Sequence, residues 1–528
     1  CHGNLAGVDL RTATIADIQA ALQAGEFTSV DLVNAYIERI QKLDNHGDLA
    51  TQLNGVRAIN PHALEYAAAM DAERAAGKVR GPMHGIPLMM KDNINTFDMP
   101  TTGGSIALES NMAPKDAGLV TRLRDNGAVI LGKLELLEWA NWGAPSNGSS
   151  IGGPQHNGYN GGSASASSSG PGVAGSMAYG SVALGSETSG SILGPTQTNG
   201  IAGLKTSHGL VSGAGVIPIG HYFDVVGPMG RSVYDLAVTL SAMAGTDPDD
   251  PLSVHADSQL PPNSDYTQFL RTDALEGVRL GYDPTQTGEL FTQAKEVLQA
   301  QGAILVPMES GTQYGAVGLA TEIPVLPNEF HFEINEYLQK EADPSLPFKT
   351  WHQLMLYNNQ NNPDAHGPAG ASGFALASAA TPGNGELVHL HAPAAIAVSR
   401  NVADRIFSEN QIAAVVAQGS PNTGLGAAAG YPTVMIPLGY NGDNAVGISW
   451  FGKQFTDGNL LGYAYAYEQA TGNKNRIPPE LFNAKLLEGL CEDVDVTMAS
   501  KPMSRTEYDP VVAEQTHIEG LEGLRHLI

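Results

Sequence analysis

Two serine-rich bends and one lysine carry the chemistry open to this chain. The stretch from Ser165 to Gly194, SASSSGPGVAGSMAYGSVALGSETSGSILG, places hydroxyl groups in Gly/Ser-rich bends at both ends of an apolar segment, and Lys91 lies upstream in HGIPLMMKDNIN. Serine attack on a carbonyl needs an activated hydroxyl, a base that takes its proton and backbone donors for the oxyanion, and these segments can supply all three. The chemistry they point to is that of a serine hydrolase. Taken singly, the same features are bland: a lysine at a strand end is ordinarily a solvated charge, and a Gly/Ser run is ordinarily a linker. Phosphate binding by the bends of 152–172 is disfavoured, because no Lys or Arg lies between Lys133 and Lys205.

The elements that must position these groups follow from pattern. Residues 14–43 read as two helices, the second opened by the capping-box pair Thr28 and Asp31, with Leu32, Val33, Tyr36, Ile37 and Ile40 along one face. The alanine-rich run 60–78 predicts a third helix, stopped by the Pro/Gly of RGPMHGIP ahead of LMM, a short strand that delivers Lys91. From 117 the order is helix (117–126), buried strand (128–131) and helix (133–141), a βα rhythm that predicts an α/β sheet. VAGSMAYGSVALGSE offers small and apolar residues at helical spacing, suited to a helix in the interior, so the Gly/Ser-rich 143–172 reads as an ordered site. Further on, 232–245 predicts an amphipathic helix, 247–350 a mixture of helices and strands, and 355–388 a loop-rich stretch. YPTVMIPLGY and NAVGISWFG predict two strands about an Asn441-Gly442 turn, followed by a helix over 458–471. No internal repeat is visible.

A chain of 528 residues can bury about three-quarters of its unfolded surface, and 42% hydrophobic with 16% charged residues is an ordinary globular composition. The formal charge of −26, from 28 basic and 54 acidic residues, repels phosphate backbones and anionic lipid, which disfavours nucleic-acid and membrane-surface partners. No apolar run reaches the roughly 18 residues of a membrane span. Cys1 and Cys491 are the only cysteines, so there is no disulfide framework and no zinc spacing, although one bridge between them stays open. A chain that begins at Cys1 admits two origins, a trimmed chain or the mature form of a lipoprotein acylated at that cysteine; cytoplasmic and exported locations both stay open.

In order along the chain, GIPLMMKDNIN, SASSSGPG, GSETSGSI, NGIAGLKTSHGLVSGAGVIPI and DVVGPMGRSVYDLA resemble the amidase signature family, over essentially residues 8–475. The resemblance implies an α/β fold, a single large domain in which a mixed central β-sheet is surrounded by α-helices. It places a tail at 1–7, the core motif at 143–235, a variable substrate-pocket region at about 247–410 and a C-terminal extension at 476–528. It implies hydrolysis of a C–N amide bond through an acyl-enzyme by a Lys, Ser, Ser triad: Lys91 as base, Ser167 as bridging serine in a cis peptide and Ser191 as nucleophile. Ser163, Ser165, Ser168 and Ser169 crowd the bridging serine, but in the family pattern that serine stands 24 residues before the nucleophile, which selects Ser167. The family's Gly-Gly before this serine is here Ser165-Ala166, so the expected cis bond, Ala166–Ser167, joins two non-glycine residues.

A lysine acts as base only when neutral, which requires burial to depress its pKa well below about 10.4. The N–H groups of Thr188, Ser189, Gly190 and Ser191 are the expected oxyanion hole. Asp224 is expected to buttress the site, and Arg231 and Asp235 to be structural charges, with a surface salt bridge an equal reading for Asp235. His389 and His391 form an HxH pair on one face of an expected strand; lacking a carboxylate or cysteine set, it reads as pocket lining or packing rather than a metal site. No cofactor or metal is expected. The substrate should be a small or extended neutral, partly apolar amide, with an anilide or carbamate (urethane) among the candidates, and Trp142 and Tyr159 near the mouth of a pocket formed by 310–400. The protein is expected to act as a monomer or homodimer. The rival reading is the amidase component of a tRNA-dependent amidotransferase; a non-catalytic binding relative is a third.

Overall fold

The computed structural model describes residues 3–44, 52–142, 148–308, 318, 320–322, 324–361 and 384–472. The readings made for Cys1, Cys491 and the extension at 476–528, and much of the loop-rich 355–388, lie outside these. The N-terminal pair β1 (Asn4–Leu5) and β2 (Val8–Asp9) forms a small antiparallel ribbon. All other strands join one mixed sheet of eleven: β3 (Val56–Ile59), β4 (Pro87–Lys91), β5 (Val129–Leu134), β6 (Val182–Glu187), β7 (Ala202–Lys205), β8 (Val225–Gly230), β9 (Arg279–Tyr282), β10 (Ile304–Pro307), β11 (Ala414–Gln418), β12 (Thr433–Asn441) and β13 (Asn444–Gly452). Their spatial order is β10-β9-β11-β13-β12-β7-β8-β6-β4-β5-β3. The sheet is thus continuous from the N-terminal third to the last hairpin, and it has the mixed, helix-flanked architecture expected from the sequence.

Local chemistry explains the helices that hold it. α1 (Ile15–Ala24) and α2 (Ser29–Leu43) both open with complete capping boxes, Thr14 with Asp17 and Thr28 with Asp31. α3 (Ala63–Ala75) ends before the Pro/Gly turn, and α4 (Gly118–Asp125) precedes β5. β4 pairs in parallel with both β5 and β6 and is buried along its whole length, which is why PLMMK is apolar up to the lysine. The helix expected over 133–141 does not form. Residues 133–134 are drawn into β5 by pairing with β3 on one side and β4 on the other, leaving a short helical turn at Glu138–Asn141. The pattern 173–187 likewise divides into the end of α5 (Ser169–Met177) and β6.

Every residue of α5 is buried, and its composition follows from that. A Cβ on Gly170 would stand 2.4 Å from the Glu135 carbonyl oxygen, and one on Gly172 2.3 Å from Asn199 Nδ2. The Gly/Ser run is therefore small because it is packed, not because it is a linker. α5 and α7 (Val233–Met243) lie against β6 and β8, while the helix Asp457–Ala470 covers β12 and β13. A second apolar cluster gathers Trp139, Trp142, Phe330 and Trp351, with Trp139 and Trp351 edge to face at 5.1 Å. Among the described residues no helix is long and apolar enough to cross a membrane, and no group of three or more His, Cys, Asp or Glu could hold a metal.

Candidate active site

Lys91 ends β4 in full burial, and its Nζ is in hydrogen-bond contact with Ser167 Oγ at 2.7 Å, Ser186 Oγ at 3.0 Å and the Ser186 carbonyl at 3.2 Å. Burial lowers the Lys91 pKa to about 7, only partly opposed by the negative charges of Asp224 and Glu187. The amine is thus neutral in a large share of molecules near neutral pH. The one cis peptide bond among the described residues is Ala166–Ser167, at the position expected.

Ser191 stands close to this pair, since the Ser168 N–H donates to the Ser191 carbonyl at 3.2 Å and so ties the residue after Ser167 to Ser191. Among the described residues nothing hydrogen-bonds to Ser191 Oγ, so the direct Ser167–Ser191 link of a proton relay is not made in this conformation. The loop that carries Ser191 is clamped at both ends. Glu187 Oε2 accepts from the Ile192 and Leu193 N–H groups at 2.7 and 2.9 Å, where α6 (Leu193–Thr198) begins. Asp224 accepts from the Thr188 hydroxyl and from the N–H groups of Ile219 and Gly220 at 2.8 and 3.0 Å. Gly190 has φ +85°, a conformation that glycine adopts without penalty, and the main-chain N–H groups of Thr188, Ser189, Gly190 and Ser191 donate to no group among the described residues. Four free donors in one bend are what a developing oxyanion would use.

A cavity opens beside the lysine, walled by the polar Asn93, Ser186, Thr188 and Asp224 and the apolar Val211, Val216, Ile217 and Ile219. His221 also lines it; burial pulls its pKa down, but the hydrogen bond and charge of Asp250 at 3.0 Å prevail and lift it to about 9. The two aromatic residues expected at the mouth are placed apart. Trp142 packs against Phe330 at 5.8 Å, two residues after the cavity-lining Ala140. Tyr159 packs against Tyr440 at 5.6 Å, near the turn between β12 and β13.

Other expectations resolve differently. Asp235 is fully buried and accepts the Ile15 N–H at 2.7 Å, so it ties the start of α1 into the interior rather than standing at the surface. Arg231 donates to the carbonyls of Gly175 and Gly180, holding the connection from α5 to β6. His389 and His391 lie on the helix Gly385–Asn410 rather than on a strand; two residues apart on a helix they face different directions, and His389 meets Tyr222 and Phe332. Ser186, Asn93, Ser168 and Glu187 were not singled out by the sequence. Ser186 lies within GSETSGSI, but its contact with Lys91 depends on the parallel pairing of β4 with β6, which no local pattern displays.

The comparisons with known proteins give the class to which this sheet and site belong, that of the amidohydrolases. The chain belongs to the amidase signature family, the Amidase family profile matching residues 31–326. It is 36% identical over 479 residues to a probable amidase of Arabidopsis thaliana, covering 88% of this chain and 90% of that one. The crystal structure of native peptide amidase from Stenotrophomonas maltophilia superposes with a TM-score of 0.80 at 35% identity, covering 89% of this chain and 99% of the other. A glutamyl-tRNA(Gln) amidotransferase component of Methylococcus capsulatus is 31% identical over 502 residues, 88% of this chain and 98% of its own.

Proposed function

We propose that this amidohydrolase cleaves the C–N bond of linear amides with Ser191 as nucleophile, Ser167 as proton relay and Lys91 as base. The single observation that carries the reading is the Lys91 amine, buried to a pKa of about 7 and 2.7 Å from Ser167 Oγ. With substrate in place, neutral Lys91 takes the Ser167 proton as Ser167 takes that of Ser191, and Ser191 Oγ bonds to the carbonyl carbon. The resulting oxyanion is met by the free N–H groups of the 188–191 bend. The proton then returns by the same path to the departing nitrogen, the C–N bond breaks, and water releases the acyl group by the reverse sequence. Closure of the Ser167–Ser191 gap belongs to the substrate-bound state, where catalytic hydrogen bonds commonly tighten.

Likeness to a peptide amidase over nearly its whole length supports primary amides of extended acyl groups as the first class to test, ahead of anilides and carbamates. The amidotransferase reading is weaker, since over near-full coverage the identity to that relative, 31%, is below the 36% to the plant amidase, and the net charge of −26 is ill suited to a tRNA-bound assembly. The deciding experiment is labelling with a fluorophosphonate followed by peptide mapping, alongside turnover of amidated peptides, anilides, carbamates and glutamine. Label on Ser191 and release of ammonia from amidated peptides are expected. An unlabelled Ser191 in enzyme that still turns over amides would overturn the reading.

A further inference from the structure

Glu322 is the described carboxyl most at odds with its surroundings. It is 1% exposed, yet among the described residues neither Oε1 nor Oε2 has a hydrogen-bond partner. A buried carboxyl without partners is destabilising unless something else supplies them. Its position suggests what that is. Thr321 is fixed by bonds to the Gly318 carbonyl and the Ser399 hydroxyl, both 2.8 Å, and Gly318 packs directly on the main chain of Gly424. The adjacent Thr423 closes on the reactive bend, with its Cγ2 3.4 Å from where a Cβ of Gly190 would stand. Glu322 is within electrostatic reach of Lys205, Asp224 and Glu187; the last two are the groups that clamp the Ser191 loop.

Lys205, at the end of β7, is likewise fully buried, and its Nζ makes one hydrogen bond, to the Tyr431 carbonyl at 3.1 Å. No carboxylate among the described residues lies within ion-pairing distance of it. An acceptor and a donor, both buried and within electrostatic reach of each other and of Glu187, which holds the end of the Ser191 loop, complement the N–H and C=O of one acylamino group. The carboxyl keeps acceptor lone pairs whether or not it is protonated, so burial, which raises its pKa to about 8, does not remove that capacity.

Resting on the serine-amidase reading above, we propose that Glu322 is a specificity-determining residue: its carboxyl accepts the acylamino N–H on the acyl side of the substrate, so the enzyme prefers N-acylamino amides to plain alkyl amides. Loss of a single such bond to a buried group is read as roughly a tenfold or greater loss of discrimination.

The test compares kcat/KM for N-acetyl-L-phenylalaninamide and 3-phenylpropanamide. Both release ammonia, and only the first carries the acylamino group. Wild type should favour the first; Glu322→Leu should cut that ratio about tenfold or more, chiefly through KM, and Glu322→Gln, whose amide oxygen still accepts, should keep most of it. A ratio that moves less than twofold in Glu322→Leu, or falls as far in Glu322→Gln, overturns the proposal. If Glu322→Leu does not fold, the wild-type enzyme decides: N-acetyl-N-methyl-L-phenylalaninamide must lose the preference, and equal turnover of the N–H and N-methyl substrates overturns it. Fluorophosphonate labelling of wild-type Ser191 keeps the two readings apart. Absent label sinks the nucleophile assignment, whereas label with an unmoved ratio sinks the role of Glu322 alone.

Discussion

At the scale of single residues, the proposed chemistry turns on a lysine made neutral by burial. Protonated Lys91 cannot accept a proton, so kcat/KM should rise with pH through about 7 and then level off, measured on an uncharged amide. Lys91→Arg should be inactive at every pH because a guanidinium stays charged; a flat profile, or an active arginine variant, would point to another base. The same shift has a stability sign. The folded-state pKa of Lys91 is depressed below its unfolded value of 10.5, so between about 7 and 10.5 the unfolded chain binds more protons and Lys91 costs stability. That cost is full below about pH 7 and fades as pH rises to 10.5. Lys91→Met should therefore melt higher than wild type at pH 7, by something on the order of 1–3 kcal/mol, while losing activity. Ser191→Ala should lower kcat by at least about 10⁴-fold, and Ser167→Ala by about 10²–10⁴-fold, with circular dichroism unchanged in both. If Ser165→Ala or Ser168→Ala were the more damaging, the relay would belong to that neighbour.

At the scale of elements, the reactive bend works because two carboxylates hold its ends. Asp224 binds the Thr188 hydroxyl and two N–H groups of the 219–220 turn, and its charge also favours protonated Lys91. Asp224→Asn keeps an acceptor oxygen but removes the charge. It should lower kcat roughly 10- to 100-fold and move the rising limb of the pH profile to lower pH, the direction expected when a neighbouring negative charge is lost. A residue that merely supported the fold would leave that limb in place. The elements were unevenly legible beforehand. α1 and α2 announce themselves through caps and apolar faces, and β12 and β13 through apolar runs about the Asn441-Gly442 turn. Residues 133–141 misled because KLELLEWAN has helical composition while pairing on both edges of β5 captures its first residues.

At the scale of the whole molecule, the active site depends on one continuous sheet. Lys91 comes from β4, Ser186 from β6 and Lys205 from β7, and β8 lies between β6 and β7, joining the N-terminal strands to the last hairpin. At Gly227 in β8 a Cβ would stand 1.9 Å from the Leu204 carbonyl oxygen, a backbone atom that cannot step aside. Gly227→Val should therefore fail to give soluble, active enzyme, as checked by expression and gel filtration. A soluble, active Gly227→Val protein would show that the sheet tolerates opening at its centre. The N-terminal helices are held mainly by buried side chains such as Ile15, Ile18 and Tyr36, with Asp235 accepting the Ile15 N–H where α1 begins, so Asp235→Ala should loosen the start of α1 to limited proteolysis before it affects turnover.

The amino-acid sequence by itself determined the family and the α/β class, and it nominated the candidate reacting groups. Hydroxyls, glycines and a lysine in ordered motifs are chemical identities that no later packing can alter, and Ala166–Ser167 was legible as the cis bond from motif alignment. Tertiary structure alone decided that Lys91 is buried, that Ser186 shares it with Ser167, that Asp224 and Glu187 clamp the bend, and that Glu322 is left without a partner. The physical reason is range. Caps, turns and apolar periodicity act over a few residues, whereas the desolvation of an amine and the company of a carboxyl are set by segments up to hundreds of residues apart, brought together only when the sheet closes.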